Sequence, residues 1–564
     1  MRKRRLAIAV TAGAILLLLG RAFVFLYTDL VWYQSLGAGA VWREKTTDQL
    51  LLFAGGSTFA FLFAYANLAA VRHSIISLVL PRRIANVEFG EAVPVRFLDA
   101  AAAAIALMVA LATAVALPSW TDLARVRTGV KFGEADPYHQ LDLAFYTSWL
   151  PLENAVYSWM VAVVTTLIIL VIGLYALTPS LRWSDGALRV SGYVRRHLGV
   201  LGAVVLLMIA WKFRLESYEL LSDGSGAAGA FTAADDAFVL PWYVGTVIIL
   251  VAAAAVVGWS TWTGQLTIAF GVLTLVLLII AGVQLWRPVA VGRAGANAAY
   301  AATRRAFTAR AFPPPVADSM RTTILDSLVA ADRSVSAAES RALVAPGANG
   351  YMVVSGIGRG VAAPSVAPLL SRLAHAWREQ DGRVLGADMP ADPRIVRVRD
   401  LYDRVYRVAP VFSVLETHRG VFHMDTLYWV VPMYSASGFY PLSERRTIAD
   451  TARTYFREAA RAYVHSVTGR VTLVASEPRD PLVNAWRRRF PNTFRSRAEI
   501  AQWANELTPL PRRAVPSAAA DDGGLHSDVR RLYLRMQEAL ARSDLAAFGQ
   551  AFDSLGAVLR DRPR

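Results

Sequence analysis

The sequence predicts an α-helical membrane domain of seven transmembrane helices followed by a soluble α+β extracytoplasmic domain. Three observations carry that prediction. First, 55% of the 564 residues are hydrophobic and 18% are charged, against roughly 45–50% and about 25% in ordinary soluble domains; mean hydropathy is +0.37. Second, the apolar excess lies in the first half, in seven stretches. Third, Lys and Arg are unevenly shared between successive connecting segments. The composition excludes a disordered protein. The absence of cysteine excludes a disulfide scaffold, thiol nucleophiles, thiolate metal sites and iron–sulfur clusters.

The seven stretches are Leu6–Tyr27, Leu50–Val71, Leu98–Leu117, Ala155–Leu177, Leu198–Trp211, Val239–Val257 and Leu266–Trp286. Most approach the roughly 20 residues needed to cross a bilayer core. Leu198–Trp211 is the shortest, and extends through Phe213 only if Lys212 snorkels. Met1-Arg-Lys-Arg-Arg5 before the first stretch resembles a signal-peptide n-region, but the bulky Arg21–Tyr27 that follows lacks a small-residue cleavage pattern, so the stretch reads as an uncleaved anchor.

Orientation follows from the loops. With the N-terminus inside, the inner segments carry twelve Lys or Arg residues, from Arg2 to Arg196, and the outer loops carry seven, from Arg43 to Arg214. That asymmetry is the positive-inside pattern. Three acids lie in the inner loops and thirteen in the outer ones. Trp32, Trp149, Trp159, Trp242, Trp262 and Trp286 fall where interfacial aromatics belong. Everything after Trp286 is then extracytoplasmic.

The formal net charge of +16 invites a nucleic-acid reading. Residues 1–286 contribute +3 and residues 287–564 contribute +13, and all four lysines precede residue 287. The topology places the basic half outside the cell, which removes nucleic acid as a partner. No Lys/Arg block of the kind used for anionic lipid is present, so the charge reads as a general arginine bias.

The organisation reads as a seven-helix transmembrane domain over 1–286, an extracytoplasmic α+β domain over 287–508, a linker over 509–527 and a C-terminal helical hairpin over 528–564. Arg287–Phe312 reads as a helix leaving the membrane, Tyr351–Val354 as a strand, Leu370–Glu379 as a helix, and Arg397–Tyr406 fits helix or strand. Leu427–Tyr434 reads as a strand that Pro432 confines to a sheet edge or a bulge. Arg461–Ala475 is a plausible hairpin, and Leu482–Phe490 a helix stopped by Pro491. The terminal pair has helical apolar spacing: Leu532, Met536 and Leu540, then Leu545, Phe548, Phe552 and Leu555.

Motifs for chemistry are sparse. Gly224-Ser-Gly226-Ala-Ala-Gly229 matches a dinucleotide fingerprint, but that motif needs a preceding strand and a following helix facing pyrophosphate; a loop between two spans supplies a flexible turn instead. His418 and His423, near Asp425, lack the i, i+4 spacing that converges two imidazoles on a metal. No cofactor and no metal are expected. Carboxylates gathered at one membrane face can bind a cation or act as acid and base. The outer acids Asp29, Asp136, Asp142 and Glu219 are therefore the candidate catalytic residues, set against a reading as solvated loop charges and helix caps. Inside the spans only Arg21 and Asp99 ionise, each near an end, which argues against a coupled transporter.

Tyr27-Thr-Asp29-Leu-Val-Trp32-Tyr33-Gln-Ser-Leu36-Gly37 with Val41-Trp42, Phe132-Gly133-Glu-Ala-Asp136-Pro137 with Asp142 and Phe145-Tyr146, and Tyr218-Glu219-Leu-Leu221 with Phe231-Thr232 resemble the outer-loop motifs of the UPF0182 family of multi-pass membrane proteins. Ala374-His-Ala-Trp377, Leu427-Tyr428-Trp429-Val430, Tyr440-Pro441-Leu-Ser443, Gly469-Arg-Val-Thr-Leu473, Asp480-Pro481, Ala485-Trp486, Phe490-Pro491 and Ala546-Ala-Phe548-Gly549 recur in family order. The resemblance implies seven spans and a large external domain, and implies no activity. The chain departs from the pattern in lacking a block between about Leu325 and Ser365, and in having Pro432 where an aspartate is common.

The resulting expectation is a multi-pass plasma-membrane protein acting as a non-catalytic envelope scaffold or accessory protein. Its partners are the lipid bilayer and an envelope protein held by the external domain and C-terminal hairpin. The alternative is a membrane enzyme or carrier acting on a lipid or envelope precursor at the outer face.

Overall fold

The computed structural model describes residues 2–76, 83–84, 87–88, 95–177, 181–184, 187–293, 298–313, 342–358, 360–423, 426–476, 479–495, 508–509 and 550. The linker and terminal hairpin expected over 509–564 therefore lie almost wholly outside the described residues. Among the described residues, seven helices are long and apolar enough to cross a membrane: Ala9–Ser35, Gly39–Arg72, Arg96–Ala116, Phe145–Ala176, Gly192–Glu219, Asp235–Thr263 and Leu266–Leu285. They belong to α1 (Arg2–Ser35), α2 (Gly39–Ile76), α3 (Val95–Thr113), α5 (Leu150–Ala176), α6 (Gly192–Glu219), α7 (Leu240–Thr263) and α8 (Leu266–Arg293). A short α4 (Trp120–Arg127), capped by Ser119 Oγ, lies between α3 and α5. Two small hairpins, β1 (Arg83–Ile84) with β2 (Val87–Glu88) and β3 (Leu181–Ser184) with β4 (Ala187–Val190), join α2 to α3 and α5 to α6.

The short apolar run Leu198–Trp211 is the middle of the 28-residue α6. Arg195, Arg196, Lys212 and Arg214 continue the helix at both ends because long straight side chains are good helix formers. Helices α5 and α7 start alike, with one wide π turn (Phe145–Trp149 and Asp235–Val239) followed by Leu-Pro in the first α turn. A proline ring clashes with the carbonyl four residues earlier, and the wider turn moves that carbonyl away. The helix expected over Arg287–Phe312 is two elements: α8 runs to Arg293, and α9 spans Ala298–Ala311.

The C-terminal region is α+β. Strand β5 (Met352–Ser355) pairs with β6 (Pro393–Val396), with α10 (Leu369–Glu379) between them. Arg397–Tyr406 resolves in favour of a helix from Leu401: α11 (Leu401–Val408) starts where Asp400 Oδ1 accepts the Asp403 N–H. A seven-stranded sheet follows, in the order β14 (Phe494–Arg495), β13 (Val471–Ala475), β12 (Tyr455–His465), β9 (Thr426–Ser437), β8 (Arg419–His423) and β15 (Thr508–Pro509), with β7 (Ser413–Val414) also pairing β9. Strands β10 (Arg446–Ile448) and β11 (Thr451–Arg453) form a separate hairpin. Helix α12 (Pro481–Arg489) is capped by Asp480 and ends before Pro491, as its sequence signals require. The β12–β13 hairpin is also where the sequence places it.

Strand β9 is central, which corrects the edge expected from Pro432. Its alternate residues Leu427, Trp429, Val431, Met433, Ser435 and Ser437 are buried. Along one side β8 pairs as far as Val430 and β7 begins at Met433, so Pro432 falls in the gap between the two partners. A proline there removes no ladder bond on that side. The register shift lies on the neighbouring β12, between Glu458 and Ala460.

One core serves both halves of the chain. Trp32, Tyr33, Ala38 and Val41 at the α1–α2 turn cluster with Val405, Phe412, Trp429, Met433, Val464 and Trp486. The turn itself is a helix stop: Gly37 has φ +72°, its N–H reaches Gln34 O, and Ala38 N–H reaches Tyr33 O, the paired bonds that close a helix on a left-handed glycine. A second cluster joins Leu143, Tyr146, Leu221 and Phe231 to Phe307, Tyr440, Leu442 and Tyr455. At the centre of the first, Arg404 is fully buried. It donates to the carbonyls of Gly469 (2.7 Å), Val398 (2.6 Å) and Ala362 (2.9 Å), and its guanidinium lies 5.7 Å from the Trp32 ring centroid.

Replacing Arg404 with Met strands three buried carbonyls. We expect a loss of about 3 kcal/mol of stability, read as a lower thermal unfolding midpoint of the detergent-solubilised chain; Arg404→Lys, with fewer donors, recovers only part of it.

Candidate functional site

Asp29 stands near the C-terminal end of α1, one turn before Trp32. Its carboxylate meets Arg397 (2.7 Å), Arg378 on α10 (3.0 Å) and Lys45 on α2 (3.8 Å). Arg378 also donates to Thr28 Oγ1 (2.7 Å) and Phe25 O (3.1 Å) and lies 4.3 Å from the Phe25 ring centroid. Burial and the neighbouring Arg397 push the Arg378 pKa down to about 10, against the pull of Asp29; it is cationic at neutral pH. One carboxylate is shared among three basic side chains. The arrangement is a clamp joining α1, α2 and the C-terminal region. A second clamp lies beside it: Glu44 accepts a hydrogen bond from Arg489 (2.8 Å) and forms an ion pair with Arg127 (3.6 Å), and Arg127 also bonds the buried Asp48.

His375, on the protein-facing side of α10, is completely buried. Its Nδ1 lies 2.8 Å from Ser371 O. A carbonyl can only accept, so Nδ1 carries the proton and Nε2 is a bare acceptor. Among the described residues Nε2 has no hydrogen-bond partner. Burial lowers its pKa from the ordinary 6.5 to about 4, with the charges of Arg397 and Arg378 acting in the same direction.

The other candidate acids are occupied within their own segments. Asp136, fully buried, accepts the N–H groups of Tyr138 (2.9 Å), His139 (2.6 Å) and Leu141 (2.9 Å). Asp142 accepts those of Phe132 (3.1 Å), Gly133 (2.9 Å) and Ala144 (2.8 Å). Three such bonds occupy the lone pairs of a carboxylate. Together the two acids fold the loop that enters α5. Glu219, at the end of α6, takes Lys212 at 3.3 Å, and His139 Nε2 lies 3.1 Å from Ser217 O in the same helix. Asp136, Asp142 and Glu219 are thus neighbours by element, whereas Asp29 belongs to a different clamp. No described partner is shared among the four.

The glycine-rich segment is a loop closed on an acid. Asp235 Oδ2 accepts Ser225 N–H (3.0 Å), Thr232 N–H (2.9 Å) and Thr232 Oγ1 (2.9 Å). The Ser225 amide that could greet a phosphate is already taken by the Asp235 carboxyl. His418 Nδ1 lies 2.6 Å from Tyr402 OH; the side chain of His423 and Asp425 lie outside the described residues. Among the described residues no three His, Cys, Asp or Glu side chains are placed to hold a metal. A cleft of about 360 Å³ opens between the α1–α2 turn and the end of α12, lined by Gln34, Gly37, Arg43, Arg489, Asn492 and Thr493 among others, with no acid in its wall.

Sequence reasoning missed Arg378, Arg397 and Arg404. Their partners lie 350 or more residues away for the first two, and carbonyls for the third leave no trace in a sequence. Asp480 carried a readable signal, an Asp before a helix-initiating Pro. Beyond capping α12, its carboxylate also receives Ser435 Oγ (2.7 Å) and the Tyr455 hydroxyl.

A family model described as "Uncharacterised protein family (UPF0182)" matches residues 6–309 and 357–506. Curated relatives, each described as a UPF0182 protein, include one from Trichodesmium erythraeum, 26% identical over 291 residues, covering 49% of this chain and 31% of the relative. Another, from Nocardioides sp., is 30% identical over 244 residues, covering 42% and 24%. A third, from Nocardia farcinica, is 28% identical over 248 residues, covering 39% and 22%. The aligned part spans less than a third of each of these relatives' lengths. No solved structure matches the chain. The chain belongs to the UPF0182 family.

Two outcomes follow from the clamp. Asp29→Asn leaves three cations facing one another, and we expect a loss of about 3 kcal/mol in thermal unfolding, with no gain or loss of a titrating group between pH 6 and 8. For His375, the folded state resists protonation that the unfolded chain accepts. Stability is therefore full above pH 6.5 and falls as pH drops towards 4, by on the order of 3 kcal/mol; His375→Gln flattens that part of the pH–stability curve.

Proposed function

We propose that this UPF0182 member is a plasma-membrane protein that crosses the bilayer seven times. Its N-terminus is cytoplasmic and the region after Trp286 is extracytoplasmic. It serves as a non-catalytic envelope scaffold or accessory subunit that holds a protein partner on its external region. The two ends of the helix set support the crossing pattern. The α1–α2 turn, the segment between α3 and α5, and the segment between α6 and α7 all pack against the C-terminal region. The opposite ends carry the two small hairpins, the Arg72–Asp99 ion pair and the Tyr193 OH to Ala70 O bond. Alternation between two faces through seven apolar helices is what seven crossings require, and the Lys/Arg excess lies on the face away from the C-terminal region.

The observation that carries the non-catalytic half is the occupation of the candidate acids. Asp29 is tied up by three cations, and Asp136 and Asp142 by three backbone N–H groups each. A general base needs a lone pair within reach of substrate, and the cleft beside the α1–α2 turn has no acid in its wall among the described residues. Glu219 is the least committed of the four, so it discriminates best between scaffold and enzyme or carrier.

In a strain lacking the protein, Glu219→Gln restores the phenotype as well as the natural chain does. An inactive Glu219→Gln protein that folds and localises normally would establish the enzyme or carrier reading instead. A reporter active only in the cytoplasm, joined after Gly292, stays silent; activity there reverses the orientation.

A further inference from the structure

Helix α10 is built inside out. Its buried residues include Ser371 and His375, alongside Ala374 and Ala376, while Leu369 (70% exposed), Leu370 (54%), Leu373 (48%) and Trp377 (39%) face outward. At 100° per residue these four fall within an arc of about 100°, a continuous apolar stripe. A helix on a water-soluble domain turns such a stripe inward.

Its position explains the inversion. The Trp377 ring lies against Gly20 of α1, so closely that a Cβ on Gly20 would come within 2.8 Å of Trp377 Cη2. Gly20 is in the apolar body of α1, nine residues before Asp29, or about 14 Å along the helix axis. Beside it on α1, Leu16, Leu19 and Phe23 are exposed apolar side chains. The stripe of α10 therefore opens at the same level as they do. The cations of α10 turn away from it: Arg378 reaches back to Asp29 and Thr28, and Arg372 Nε donates to Val366 O. Arg383, just past the helix, is almost fully exposed.

We infer that α10 is embedded in the outer half of the bilayer beside α1, with Leu369, Leu370, Leu373 and Trp377 against lipid acyl chains. This rests on the seven-span reading above. The external region then does not ride above the membrane on loops alone; it is sunk into it by one amphipathic helix, and the Asp29 clamp marks where that helix leaves the hydrocarbon.

The cysteine-free chain permits a direct test in the full-length protein. Single cysteines replace Leu370 or Leu373, with Leu16→Cys as the membrane reference and Arg383→Cys as the aqueous one. Each protein is reconstituted in phosphatidylcholine–phosphatidylglycerol vesicles, then tested for reaction with a charged maleimide and, after fluorophore labelling, for quenching by acyl-chain nitroxide lipid. We expect Leu370→Cys and Leu373→Cys to react at least roughly tenfold more slowly than Arg383→Cys and to be quenched within about twofold of Leu16→Cys. Rapid reaction at 370 and 373 with Leu16→Cys protected overturns the inference and leaves the seven-span reading standing. Protection without lipid quenching also overturns it, and assigns the stripe to a protein or a second copy. Rapid reaction at Leu16→Cys overturns the membrane reading and this inference together.

Discussion

The structure depends on one buried guanidinium. Arg404 holds the carbonyls of three separate segments, at Ala362, Val398 and Gly469, and turns its face to Trp32. A cation placed in an apolar core is costly unless its donors are met, so these segments must arrive together. Gly469 is part of that demand: its φ is +69°, and a Cβ there would lie 2.7 Å from Arg404 Nη2. Once Arg404 is satisfied, the β12–β13 turn, the strand ahead of α11 and the α1–α2 turn share one fixed geometry. The two clamps around Asp29 and Glu44 then lock the rim of the same joint.

Much of this was legible in the sequence, and the parts that were not share a physical reason. The apolar helices announce themselves because a long run without charge has few other homes. Local signals also read true: α12 ends before Pro491, and Gly469 lies in the turn of the β12–β13 hairpin. Pro432 misled because a proline states which N–H is missing but not which neighbour would have needed it; the gap between β7 and β8 supplied the answer. Leu198–Trp211 looked short because apolar runs report the uncharged part of a helix, and α6 continues through its charged ends.

The candidate acids show the same limit. Asp29, Asp136, Asp142 and Glu219 were found by position at one end of the helices, and they do lie at that end. What sequence could not show is how their lone pairs are spent. Asp136 and Asp142 shape the entry to α5 through backbone amides a few residues away, whereas Asp29 reaches Arg397 across 368 residues. That use of the acids fits a requirement for shape as readily as one for chemistry.

The shared core also sets an order of events. Glu44 and Arg489 are 445 residues apart along the chain, and Trp32 and Trp486 lie in one cluster. At roughly 5–20 residues per second of synthesis, the α1–α2 turn waits about 20–90 s for its partners. During that interval Trp32, Tyr33 and Val41 lack the α12 side of their core, and the joint cannot close until α12 is made. A nascent chain of this protein therefore carries an unfinished apolar tip throughout that interval.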